Sequence, residues 1–111
     1  TGYLPDRDLV ALVRGAQVYA HPSLYEGFGL SILVAFQHHV PVVTSNVSSL
    51  PEVAGDAALL VDPYSKESIA RGLAQALKDR KRLVSAGLKQ LAKFSWEKTV
   101  TETLKLYNSL A

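Results

Sequence analysis

The sequence predicts an α/β fold of the doubly wound kind: a single domain over residues 1–111, with a three-stranded parallel sheet and flanking helices. Three observations carry this. Short, mainly apolar runs at Val18–Ala20, Val42–Thr44 and Ala58–Val61 read as strands, the second being of the β-branched kind that parallel sheets bury on both faces. Segments of helical period separate these runs, so each strand reaches the next by a crossover and the pairs run parallel. Turn formers sit at the joints, with Pro22 after the first run, Gly27 and Gly29 before the next helix, and Asp62-Pro63 after the third.

In chain order, Thr1 to Leu4 reads as the end of a strand that turns at Pro5. Asp6 is a plausible N-cap for a first helix with Leu9, Leu12 and Val13 inward, and Gly15 has the place of a left-handed C-terminal cap. Gln17 to His21 forms the first strand, and Pro22 stops it. Ser31 to His38 has helical spacing with Ile32, Ala35 and Phe36 on one face, and Pro41 to Ser45 is the second strand. A polar loop, Asn46 to Ser49, precedes a short helix that Ser49 caps, Pro51 opens and Gly55 ends. After the third strand, Ser65 caps a helix with Ile69, Leu73, Ala76 and Leu77 inward. Asp79 caps the next, with Leu83, Val84, Leu88 and Leu91 inward; Gly87 is a flaw there, costing about 1 kcal/mol relative to alanine. Ser95 caps the last helix, whose inward stripe is Trp96, Val100, Leu104 and Tyr107.

Composition narrows the function classes. Hydrophobic residues make up 48% and charged residues 20%, which is ordinary for a globular domain of 111 residues. A formal net charge of +2 gives no case for nucleic acid, because the cations gather between Lys78 and Lys98 on solvated helix faces. No apolar run approaches the roughly 18 residues that span a bilayer, so no membrane partner is expected. The absence of cysteine excludes disulfides and thiolate metal sites. His38 and His39 are adjacent, so on a helix they point about 100° apart. With His21 the only other histidine, no metal site is expected, and no cofactor.

The stretch PSLYEGFGL, then PVVTSNVSSLPEVAGDAALLVDP and FSWEKT, resembles the C-terminal, donor-binding domain of retaining GT-B glycosyltransferases of the glycogen-synthase and sucrose-synthase kind. The resemblance runs from Thr1 to Ala111 and covers the second half of that domain. The chain reads as an excised piece, lacking the acceptor-binding domain and the first βαβ units with their basic phosphate-binding pair. It implies a cytoplasmic parent family and an inherited donor site at Glu26, Gly27, Phe28, Gly29 and Leu30. There Glu26 would meet sugar hydroxyls, and the following backbone N–H groups would meet sugar and phosphate at a helix N-terminus.

The departures gather on one helix. The family motif is glutamate, seven residues, glutamate, but the residue eight positions after Glu26 is Val34. Ser31 stands where proline is common in the family, and a run there like Ala-Met-Ala-Cys-Gly reads Ala35, Phe36, Gln37, His38 and His39 here. Histidine in place of a glycine cap at His39 would carry strain of order 1 kcal/mol. Such clustering favours a rewritten surface: a non-catalytic, engineered protein-binding module whose Ser31–His39 helix meets a protein partner. That face would comprise Leu30, Ser31, Val34, Phe36, Gln37, His38 and His39. The alternative is a nucleotide-sugar-binding part of a retaining glycosyltransferase, inactive without its N-terminal domain and retaining weak donor binding. In both readings the isolated chain is no enzyme, having no second wall to close over a donor. The first strand would lie at a sheet edge, which leaves homodimer formation through that edge open.

Overall fold

The computed structural model describes all residues from Thr1 to Ala111. The order is α1 (Asp6–Gly15), β1 (Tyr19–His21), α2 (Leu30–Gln37), β2 (Val42–Ser45), α3 (Leu50–Ala54), a 3-10 turn (Gly55–Ala57), β3 (Ala58–Val61), α4 (Lys66–Lys78), α5 (Arg80–Leu91) and α6 (Trp96–Leu110). The strands form one parallel sheet in the order β1-β2-β3, with His21 opposite Thr44 and Ser45 opposite Val61. Every residue of β2 is buried, as expected of a central strand covered on both faces. Val42 belongs to a core formed with Ile32, Ala35, Phe36 and Leu50, whereas Val43 packs with Val61, Ala76 and Leu83 on the other face. The predicted α/β class and sheet are the observed ones.

Local chemistry explains three of the helix ends. Ser65 and Ser95 cap α4 and α6, their hydroxyls accepting from the backbone N–H of Ser68 and Lys98. At the end of α2, His39 N–H bonds the Phe36 carbonyl and Val40 N–H the Ala35 carbonyl. These are the two bonds of a Schellman motif, with His39 in the left-handed position at φ 61°. The sequence-based expectation for His39 is therefore met.

Several expectations are corrected. Thr1 to Leu4 forms no strand, so the outer edge of β1 is bare. Asp6 and Asp79 make no side-chain cap bond, and Gly15 ends α1 in helical continuity, with the extended Ala16 as its cap. Ser49 gives its hydroxyl to another segment instead of capping α3. Leu9, Leu12, Leu77 and Leu88 remain largely exposed, as does the whole stripe of α6. No residue of α6 is buried, because no other element of this chain lies alongside it. The same projection lengthens the molecule to 51 × 31 × 30 Å.

Gly87 is not a flaw. A Cβ there would stand 2.6 Å from Cδ1 of Phe36, so the bare backbone is what lets α5 lie against the α2 ring. Phe36 is 1% exposed and belongs to the core. Its place on a recognition face is accordingly withdrawn.

Candidate functional site

The C-terminal ends of β1 and β2 lie side by side and carry the two loops that build the site. Pro22 ends the first strand, and the chain then runs through Glu26 to Gly29 before entering α2. Gly29 adopts φ +100°, and a Cβ on it would come within 2.9 Å of Leu50, so only glycine turns the loop into the helix here. Gly27 has open space about it and an ordinary φ, so its bareness clears the solvent side of the loop. The first intrahelical contact is Ile32 N–H to the Gly29 carbonyl, which leaves the Leu30 and Ser31 amides at the positive end of α2.

Four hydroxyls from the end of β2 and the following turn hold this loop from beneath. Thr44 donates to the His21 carbonyl at 3.0 Å and Ser45 to the Ser23 carbonyl at 2.6 Å. Ser48 accepts from Glu26 N–H at 3.0 Å and donates to the Glu26 carbonyl at 2.6 Å, gripping both backbone groups of one residue. It does so from the left-handed region, at φ 61°. Ser49 shares its proton between the carbonyls of Glu26 and Phe28. This hydroxyl-rich run, TSNVSS, reads from sequence only as a strand end and a polar loop; its position after the second strand is the available signal. The Phe28 ring packs edge-on against Phe94 at 5.8 Å and stays partly exposed beside the loop.

Glu26 turns its carboxylate to His21, with Nε2 and Oε1 3.1 Å apart and both side chains partly buried. This partnership has no signal in the sequence, where His21 is only a third histidine five residues before Glu26. His38 takes the Arg14 Nε–H on its Nδ1 at 3.3 Å, tying α2 to α1. Of the residues assigned to a recognition face, Leu30, Val34, Gln37 and His39 are exposed and Ser31 and His38 half-buried; Phe36 is absent from it. A groove of about 460 Å³ between β3 and α4, edged by Arg71 and Lys78, contains none of the loop residues.

The family described as "Glycosyl transferases group 1" matches residues 1–108. The chain belongs to that family. Among relatives, it is 47% identical over 112 residues to O-antigen chain mannosyltransferase B of Escherichia coli, an alignment covering 98% of this chain and 29% of the relative. Among solved structures, it superposes on the sucrose-phosphate synthase of Thermosynechococcus elongatus with a TM-score of 0.83 and 28% identity, covering 99% of this chain and 29% of that one. An alpha,alpha-trehalose-phosphate synthase (UDP-forming) from Burkholderia vietnamiensis gives 0.74 and 25%, covering 93% and 26%. The chain thus spans less than a third of the length of these glycosyltransferases. The group 1 membership and the fold agree with the GT-B resemblance carried by PSLYEGFGL.

Proposed function

We propose that this chain is the donor-binding half-domain of a nucleotide-sugar-dependent glycosyltransferase, with mannose as the transferred sugar. One observation carries the reading. In a chain of this family, hydroxyls of the turn after β2 clamp the backbone of Glu26 at the strand ends, a few residues before α2 begins, where open α/β sheets bind ligands. Glu26 accepts a hydroxyl of the sugar, and the amides from Gly27 to Leu30 face the diphosphate. The mannose assignment rests on the Escherichia coli mannosyltransferase at 47% identity. Turnover requires a second wall to exclude water and hold an acceptor, so this chain alone is expected to bind without transferring.

Calorimetric titration with uridine, adenosine and guanosine diphosphate sugars tests it. Binding in the millimolar range is expected, because Val34 stands where the family motif has a second glutamate. Val34→Glu should tighten binding by at most the value of one charged hydrogen-bonding group, about 1–3 kcal/mol. No saturable binding by either protein would overturn the proposal.

Protein recognition through Leu30, Ser31, Val34, Gln37, His38 and His39 is a second reading, and one observation favours it. Leu30 and Val34 leave 57% and 37% of their surface exposed on neighbouring turns of α2. Neither the fold nor the relatives add support for an engineered origin. Loss of a partner from the Gln37→Ala, His38→Ala variant, with its folding unchanged, would favour it; equal capture by both proteins would dismiss it.

A further inference from the structure

The His21–Glu26 pair has no role in holding the fold that the surrounding bonds do not already fill. His21 closes β1, where its backbone is held by the ladder opposite Thr44 and its carbonyl by the Thr44 hydroxyl. Its ring lies over that of Tyr19, two residues earlier on the same face, with centroids 6.1 Å apart and planes 17° from parallel. The Glu26 backbone is fixed independently, N–H and carbonyl both, by Ser48 and Ser49. What the pair adds is the rotation of one carboxylate. An ionised carboxylate only accepts, so Nε2 of His21 carries the proton and donates it to Oε1. Oε2 has no hydrogen-bond partner within the chain and is left to accept from a ligand.

We propose that His21 is a positioning residue for sugar recognition: it occupies Oε1 of Glu26 and thereby makes the carboxylate a reader of a single sugar hydroxyl through Oε2. This rests on the donor-site reading above. Two hydroxyls on adjacent carbons would otherwise compete for both oxygens of a freely turning carboxylate. With Oε1 taken and the backbone clamped, one acceptor remains at one place, which is the condition for distinguishing sugars that differ in a single hydroxyl.

The test separates sugar from nucleotide. The whole chain is titrated by NMR with uridine and guanosine diphosphate and with their glucose and mannose esters, and the affinity ratio of ester to bare diphosphate is read. His21→Phe keeps a ring over Tyr19 and removes the donor, whereas His21→Gln restores an N–H near the Nε2 position. Unchanged amide signals from Val42 to Ser45 report that the variants are folded. The expected result is a ratio lowered about threefold to tenfold in the Phe variant and recovered in the Gln variant, as loss of one modest hydrogen-bond contribution requires. Bare diphosphate affinity should not move. An unchanged ratio in His21→Phe overturns the role of His21 and leaves the donor site standing. Absence of binding by any diphosphate or ester overturns the donor-site reading and this role with it. The pairing itself has a ligand-free signature: ring ¹⁵N shifts should report the Nε2–H tautomer in the parent and a mixture in Glu26→Ala. Identical tautomer populations in the two would overturn the pairing.

Discussion

His39 holds φ 61° without being glycine, and the two bonds of the Schellman motif fix it there. Its ring is exposed, so the chain keeps a strained residue with no buried contact to offset it. His39→Gly should therefore raise stability by about 1 kcal/mol, the relief of left-handed crowding exceeding glycine's added freedom when unfolded. Chemical denaturation with an unchanged slope measures it; a loss of stability would mean that the imidazole makes a contact of value. Asp79 offers a test of sign. Hydrogen bonds from Gln75 and then from Arg82 hold its carboxyl below the ordinary value of 3.8. A carboxyl lowered on folding stabilises the native state at pH above its unfolded value, and this contribution disappears as pH falls through the folded value. Asp79→Asn should thus be less stable than the parent at neutral pH, with the gap closing below about pH 3.8. A gap independent of pH would assign the effect to the backbone at the start of α5.

Between elements, the decisive contact is α5 on α2. Gly87 and Phe36 meet where a methyl group would intrude to 2.6 Å on an aromatic ring with 1% exposure. Helix propensity favours Gly87→Ala by about 1 kcal/mol, but overpacking a buried ring costs about 1–3 kcal/mol. The second effect prevails here because Phe36 is enclosed by core residues and has little room to yield. The variant should therefore be destabilised, visible as a lower thermal midpoint; a rise would show that the helices can part without loss. This sign is illegible from sequence, since Gly87 reads as a helix flaw until its distant partner is known. By contrast, Ile32, Ala35 and Phe36 on one face of α2, and the caps Ser65 and Ser95, are legible because they depend on residues a few positions apart. The site divides along the same line. The glycine loop announces itself locally, whereas the hydroxyls of Thr44 to Ser49 and the His21 ring gain meaning only when β2 is set beside β1.

At the scale of the molecule, order should fall off steeply from the sheet to α6. β2 is paired on both sides and buried throughout, with one core on each face. α6 presents Trp96 at 73% exposure and buries nothing, although its stripe has the spacing of a helix made to be covered. An uncovered helix of 15 residues is near the length at which helices are marginal in water. In the isolated chain, hydrogen exchange should consequently be slowest at Val42–Ser45 and fastest, among the helices, in α6. Removing residues 95–111 should leave the denaturation midpoint of the rest nearly unchanged, because no core residue loses a neighbour. The bare edge of β1 supplies the competing outcome. Were two copies to pair there, β1 would gain protection with rising concentration and sedimentation would give a dimer. Protection of α6 equal to that of β2 at every concentration would contradict both descriptions and require a surface that seats the stripe of Trp96, Val100, Leu104 and Tyr107.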